Sequence, residues 1–386
     1  MAQIRYLNTM ELEAGALRHL ASGCASIGIR RPLLVTDAGV RAAGLVDRAL
    51  KELGGVDNVA VFDATPSNPT EAAVREALAV ARAHQCDGLI ALGGGSSIDC
   101  AKGVSIAATH EGPLARYATI EGGSPLITER VWPLIAVPTT AGTGSEVARG
   151  AIVIVEDGRK LGFHSWHLMP RLAILDPDLT LGLPPSLTAA TGMDAIAHCM
   201  EAFMAPAFNP PADGIALDGL ERGWANIATA TLEGGNVEAR LQMMSASMQG
   251  GLAFQKGLGC VHSLSHSLGG VNPGLHHGTL NAMFLPAVIQ FNAQAESVVR
   301  ERRLERMAAA MGLGQMQSAE QAAHALGETI KAMNRQLGLP SGLAAMGVET
   351  GCFNRVIDGA LADHCHKLNP RLASADDYRH MLHASM

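Results

Sequence analysis

Along the first half of the chain, short apolar runs alternate with helical patterns. RPLLVTD (31–37) is an apolar run ending in Asp37, and a helix-like segment follows to about Leu53. VAVFD (59–63) is a second candidate strand. PSNPT (66–70) then turns into the helical stretch TEAAVREALAVARAHQ. GLIALGGG (88–95) runs straight into glycines and then into SSIDCAKGVSIAATH, which reads as a helix. PLIAVPTT (133–140), AIVIV (151–155) and LAILD (172–176) complete the candidate strands. Strands alternating with helical segments of 10–15 residues predict a parallel, doubly wound sheet.

The pattern changes at LGLPPSL (181–187). Beyond it, Ala-, Leu- and Met-rich stretches recur at helical spacing over 186–203, 212–230, 236–254, 259–270, 277–292, 297–311 and 317–337. This predicts an α/β domain over residues 1–183 and an all-helical domain over residues 184–386.

The 386 residues are 48% apolar, enough for two sizeable cores. With only 4% aromatic residues, those cores must be aliphatic. A formal net charge of −7 disfavours nucleic acid or an anionic membrane as the main partner. No apolar run approaches the roughly 18 residues of a membrane helix. The opening MAQIRYLNTMELEAG lacks a signal-peptide core. Seven cysteines without a CxxC suggest neither a disulfide framework nor a zinc ribbon. The expectation is a reduced, cytoplasmic protein that handles small molecules.

Three features mark a nucleotide site. ALGGGSSIDCAKG places three glycines and two serines between a strand and a helix. Glycine admits a close phosphate, and a helix start offers free N–H groups. PTTAGTGSE (138–146) is a second loop rich in hydroxyls and glycine, suited to a ligand or to local capping. Asp37 ends the first strand, where a carboxylate either accepts from a ribose 2′-hydroxyl or caps the next helix. All three lie at predicted strand C-terminal ends, where open α/β sheets bind ligands.

A second constellation lies in the helical half. TGMDAIAHCMEAF (191–203) carries Asp194 and His198 at i, i+4, on one face of an otherwise apolar helix. GLGCVHSLSHSLGG (257–270) repeats that spacing with His262 and His266, and GLHHGTLNA (274–282) adds His276 and His277. A carboxylate with three imidazoles makes a mixed oxygen and nitrogen site for a divalent first-row metal.

These motifs carry a resemblance. TDAGV, PSNPT, GGGSSIDCAKG, PTTAGTGSE, TGMDAIAHCMEAF, GCVHSLSHSLGG, HHGTLNA and NPR (369–371) span nearly the whole chain and resemble the iron-dependent (group III) alcohol dehydrogenases. The resemblance implies an N-terminal dinucleotide-binding domain and a C-terminal helical metal-binding domain, an architecture shared with dehydroquinate synthase. It implies metal ligands at Asp194, His198, His262 and His277. His277 is chosen over His276 because the family's ligand directly precedes a glycine. It implies NAD held by Gly94, Gly95 and Ser96, with Asp99, Asn68 of PSNPT, Thr139, Thr140, Ser145 and Lys160 also lining the cofactor. Asp37 points to NAD rather than NADP. His266 matches a histidine near the nicotinamide and is a candidate proton relay. Iron(II) is the family's default metal, and zinc suits the same donors. A homodimer or larger homo-oligomer is expected.

The implied chemistry is metal-assisted interconversion of a primary alcohol and its aldehyde, with hydride passed to or from NAD. Arg149, Lys256 and His366 lie near the site motifs, and a cation in a pocket suits a substrate carboxylate. FQKGLGCVHS, SEVARGAIVI and GFHSWHLMP together resemble the family's 4-hydroxybutyrate dehydrogenase branch. Other ω-hydroxy acids, sulfonate or phosphonate analogues and plain alcohols or diols are the alternatives. A non-redox lyase that uses NAD and a metal is the alternative from another class.

Overall fold

The structure is a computed structural model that describes residues 4, 6, 8–54 and 59–386. It divides into two compact units, Tyr6–Gly182 and Leu183–Met386. Among the described residues, no helix is long and apolar enough to cross a membrane.

The first unit contains β1 (Thr9–Leu12), α1 (Leu20–Ser26), β2 (Pro32–Val35), α2 (Ala38–Ala42), α3 (Leu45–Glu52), β3 (Ala60–Phe62), α4 (Glu71–Ala83), β4 (Gly88–Gly93) and α5 (Gly95–Thr109). It continues with β5 (Leu134–Pro138), β6 (Gly150–Ile154), β7 (Lys160–His164) and β8 (Leu172–Leu175). Six strands form one parallel sheet in the order β1-β8-β5-β4-β2-β3. Successive side chains of a strand alternate between faces. Leu33, Val35, Leu89 and Ala91 therefore join α4 and α5 in one core, while Leu34, Ile90 and Leu92 join α1 and α3 in the other. Burial on both faces explains why these strands read as continuous apolar runs.

The strand order reverses between β2 and β4: the chain leaves β2 toward β3 and leaves β4 toward β5. The loops after β2 and β4 thus diverge at a topological switch point, which places Asp37 and the glycine loop side by side.

Three strands, β6, β7 and β1, differ from the reading of the sequence. AIVIV does not join the parallel sheet. It forms β6 of a separate antiparallel hairpin with β7, and its residues are alternately buried and half-buried. The cue is Asp157-Gly158 between the two strands, with Gly158 at φ 84°. The sheet's edge strand β1 has no apolar run of its own and is held by pairing with β8.

The second unit is helical: α6 (Pro185–Met204), α7 (Pro210–Leu232), α8 (Val237–Ala253), α9 (Cys260–Val271), α10 (His277–Asn292), α11 (Glu296–Arg300), α12 (Arg303–Ala310), α13 (Ala319–Gln336), α14 (Phe353–Ala362) and α15 (Ala375–Ala384). The expected helix over 297–311 is broken at Arg302, whose φ of 52° is left-handed. The break lets Arg303 turn inward to the Phe203 carbonyl and Asp213. Helix α6 is central. It packs on α7, α8 and α10 and is buried almost all round. A helix in that position must be apolar on every face, so its polar residues stand out.

Candidate functional site

In the second unit, α6 carries Asp194 and His198, α9 carries His262, and α10 begins at His277. Nε2 atoms of His198, His262 and His277 lie 3.7, 3.8 and 3.7 Å from Asp194 Oδ1. Three imidazole nitrogens nearly equidistant from one carboxylate oxygen is the disposition of donors around a shared ion. With bonds of about 2.0–2.2 Å, tetrahedral donors stand about 3.4 Å apart. Asp194, His198 and His262 are buried, whereas His277 is exposed over 37% of its side chain, so access to the cluster is from that side.

Local packing explains the convergence. Gly278 lets the start of α10 approach α6, since a Cβ there would strike the Ala190 carbonyl. The first N–H groups of α9 have no intrahelical partners. Asn369 Oδ1 accepts from Cys260 N (3.1 Å), and Glu201 accepts from Val261 N (2.8 Å) and His262 N (3.3 Å). Glu201 Oε2 also lies 2.6 Å from His262 Nδ1, so its second task is to orient that ring.

The protonation states suit metal binding. Burial raises the Asp194 carboxyl, but His198, His277 and the Asn281 amide outweigh it and hold the group below its ordinary range. Burial, then the rings of His198 and His277, hold His262 well below the ordinary histidine value, in the neutral form that ligates. Asn281 Nδ2 lies 2.7 Å from Asp194 Oδ1 and within 3.2 Å of the Nε2 atoms of His262 and His277. One amide thus faces a carboxylate and two imidazoles, while its own Oδ1 is buried without a hydrogen-bond partner. Such an acceptor-rich, donor-poor cluster fits a cation.

Glu201 and Asn281 escaped the sequence reading, although the signal was present. Glu201 lies at i+7 from Asp194 and Asn281 at i+4 from His277, each on the face of its helix that carries a candidate ligand. His276 caps α10 from an exposed position, and it is His277 that reaches Asp194. His266 stacks on His277 with ring centroids 5.3 Å apart, and its Nδ1 is 3.0 Å from Asp363 Oδ2. Although burial opposes ionisation, the bond to and charge of His266 pull Asp363 down to about 2.

The first unit assembles the nucleotide features. Asp37 caps α2, with Oδ1 accepting from Val40 N at 3.0 Å, and its Oδ2 accepts from Ser97 Oγ at 3.3 Å. Asp37 thus fills the capping role, and its second oxygen stands beside the start of α5. Gly94 caps α5, Thr139 N donates to Gly93 O, and a Cβ on Gly95 would sit 2.6 Å from Thr143 Cγ2. Side chains larger than hydrogen would fill this cradle. Ser96 Oγ donates to Ser67 O, Thr140 flanks Gly94, and Lys160 Nζ donates to Asn68 Oδ1 at 2.9 Å. Asp99 is half-buried, accepting from Ser145 Oγ (2.6 Å) and Ile152 N (2.9 Å). It ties the hydroxyl-rich loop to β6.

The three cations expected to face substrate separate into different roles. The Lys256 side chain is fully buried, ion-paired with Asp213, and 3.2 Å from the Phe203 carbonyl. It closes the C-terminal end of α6, where a cation complements the helix dipole. His366 Nδ1 is paired with Tyr378 Oη at 2.9 Å. Of the three side chains, that of Arg149 alone has no hydrogen-bonding partner among the described residues; its guanidinium lies over the Trp166 ring at 4.7 Å.

Comparison with known proteins agrees with this geometry. Residues 8–177 match the family described as iron-containing alcohol dehydrogenase, and residues 188–386 match the C-terminal part of the Fe-containing alcohol dehydrogenase family. The chain is 64% identical over 390 residues to 4-hydroxybutyrate dehydrogenase of Cupriavidus necator, covering 100% of both chains. It superposes on a crystal structure of 1,3-propanediol oxidoreductase with a TM-score of 0.94 and 36% identity, covering 100% of each. A sulfoacetaldehyde reductase from Bifidobacterium kashiwanohense, solved in complex with NAD+, gives a TM-score of 0.88 at 25% identity, covering 100% of this chain and 98% of that one. With both halves matched in order and the buried Asp–His cluster assembled, the chain belongs to the iron-containing alcohol dehydrogenase family of oxidoreductases.

Proposed function

We propose that this enzyme interconverts 4-hydroxybutyrate and succinic semialdehyde, with NAD as hydride carrier and divalent iron held by Asp194, His198, His262 and His277. The observation that carries the reading is the 64% identity over both whole chains to a 4-hydroxybutyrate dehydrogenase. In this reading residues 6–182 bind the dinucleotide and residues 183–386 hold the metal. When bound, iron supplies a Lewis acid for the reacting oxygen and NAD supplies the two-electron acceptor.

The chain's own residues do the rest. Asp194 contributes the negative charge of the ligand set, and Glu201 keeps the His262 ring turned toward it. His266, steadied at Nδ1 by Asp363, exchanges the hydroxyl proton at Nε2. The α5 start at Gly94, Gly95 and Ser96 offers N–H groups to a pyrophosphate, and Asp37 accepts from a ribose hydroxyl. Asn68, Asp99, Thr139, Thr140, Ser145 and Lys160 complete the cofactor's surroundings.

The test is turnover followed at 340 nm with NAD, using protein purified without chelator and reconstituted anaerobically with iron(II). Substrates are 4-hydroxybutyrate, 1-butanol, 1,4-butanediol and 1,3-propanediol. A kcat/KM at least tenfold higher for 4-hydroxybutyrate, about 1.4 kcal/mol of transition-state preference, is expected. A preference for the uncharged alcohols overturns the hydroxy-acid assignment.

A further inference from the structure

We infer that Arg149, seated on the Trp166 ring and fixed at its backbone by Lys102, is the specificity residue that receives the substrate carboxylate. The inference rests on the hydroxy-acid reading above and names the residue that enforces it.

The argument begins with a buried amine. Lys102 on α5 has no exposed surface, and its Nζ donates to Ser145 O (2.8 Å), Ser145 Oγ (3.0 Å), Ala148 O (2.9 Å) and Gly150 O (2.7 Å). Ala148 and Gly150 are the two neighbours of Arg149, so one ammonium fixes the backbone on both sides of it. Arg149's own carbonyl accepts from Ser165 N at 3.1 Å. This contact extends the hairpin register one step beyond the Gly150–His164 pair. The next residue, Trp166, opens a short 3₁₀ turn whose start is capped by Ser165 Oγ. Chain geometry therefore delivers the indole beneath the guanidinium.

That guanidinium is half-buried, and burial pulls its pKa down, so its charge is incompletely solvated. Yet among the described residues it forms no hydrogen bond or ion pair. The comparison with other inward arginines is direct. Arg240 bonds Thr188 Oγ1, Gly234 O and Leu183 O, and Arg303 bonds the Phe203 carbonyl, Asp213 and Glu301. Arg149 keeps five N–H donors in a planar fork uncommitted, on a preorganised aromatic platform. A planar anion of one negative charge, such as a carboxylate, matches that fork in a bidentate manner. Arg149 also stands between the hydroxyl-rich loop, which begins at the carboxyl end of β5, and the start of β6. Lys256 is ion-paired with Asp213, and His366 has one ring nitrogen paired with Tyr378 Oη, so neither offers an uncommitted planar fork.

The experiment compares the iron-loaded enzyme with its Arg149→Met and Arg149→Lys variants on 4-hydroxybutyrate and 1-butanol. The measured quantity is the ratio of kcat/KM for the acid to that for the alcohol. Loss of a charge-assisted bidentate contact predicts a fall in that ratio of about 10- to 100-fold in the Met variant, mostly through KM for the acid. The Lys variant, which keeps charge but loses the fork, falls by a smaller factor of at least threefold. Independently, calorimetric binding of butyrate to the NAD-loaded enzyme is expected to weaken in step. A ratio within twofold of the parent enzyme in every variant that folds, with the parent preferring the acid, overturns the role of Arg149 and leaves the function intact. A parent enzyme that does not prefer the acid overturns the hydroxy-acid reading itself.

Discussion

Glu201 Oε2 lies 2.6 Å from Nδ1 of His262, and neither side chain is exposed to solvent. Two backbone N–H groups also aim at this carboxylate, which makes it the acceptor and leaves His262 Nε2 as the lone pair facing Asp194. Burial raises the Glu201 carboxyl to about 8, so the test replaces it by a carboxamide of the same shape, which keeps one oxygen acceptor and loses the other. Glu201→Gln is expected to weaken metal affinity by about 10- to 100-fold, read by competition with a chromogenic chelator.

The ligand set itself is tested by Asp194→Asn, which removes the only anionic member. Metal analysis after dialysis is expected to show iron lost and turnover abolished. NAD binding, followed by fluorescence titration, is expected to persist, because the glycine cradle belongs to the other compact unit. Retention of stoichiometric iron in this variant excludes Asp194 as a ligand.

Lys256 gives a contrast with Arg149. Its ammonium is buried against Asp213 and the Phe203 carbonyl, and Arg303 Nη1 shares Asp213 at 3.1 Å. Breaking a buried pair is costly, but here the carboxylate keeps a second cation. Lys256→Met is expected to lower stability by roughly 1–3 kcal/mol, measured by urea unfolding. The ratio of acid to alcohol turnover is expected to stay at the parent value.

Asp37 carries two functions that one substitution separates. Serine preserves the cap on Val40 N but removes the charge. Asp37→Ser is therefore expected to raise the kcat/KM for NADP relative to NAD by about tenfold or more, as a like-charge clash is relieved. An unchanged ratio removes Asp37 from cofactor discrimination.

Glu146 provides a stability signature. Burial pushes its carboxyl from 4.5 up to about 7. The folded chain then holds a proton that the unfolded chain has released, so stability declines as pH rises from about 4.5 to about 7. Below that window the two states are equally protonated at this residue, and the penalty vanishes. Glu146→Gln removes the titration. Its unfolding free energy is expected to lose that slope and to exceed the parent's at pH 8 by on the order of 3 kcal/mol, given correct folding of the loop.

Parts of the fold were legible because burial on both faces leaves an unmistakable record. Leu33–Val35, Leu89–Leu92 and Ile135–Val137 must be apolar throughout, and such runs read as strands. Strand β1 was not, because Thr9–Leu12 is an edge strand with mixed composition, held by β8 rather than by its own pattern. The break at Arg302 was invisible for a related reason. Its left-handed backbone follows from where Arg303 must reach, not from any local glycine or proline. Helices α14 and α15 went unread because their amphipathic stretches are short, at ten residues each.

By itself, the sequence determined which chemical groups were available and on which local faces. Helical spacing puts Asp194 beside His198 and His262 beside His266, and a strand running into glycines makes a phosphate cradle wherever the chain goes next. Tertiary structure decided which of those groups meet. Gly278 brings α10 against α6 and so selects His277, while Glu201 and Asn369, distant in sequence from α9, cap its start and orient His262. It also separated cations that look alike in sequence: Lys256 finds Asp213, whereas Arg149 is held by Lys102 and Trp166 with its donors uncommitted. The reason is physical. Spacing controls contacts within one element, but pairing, burial and desolvation depend on neighbours contributed by others.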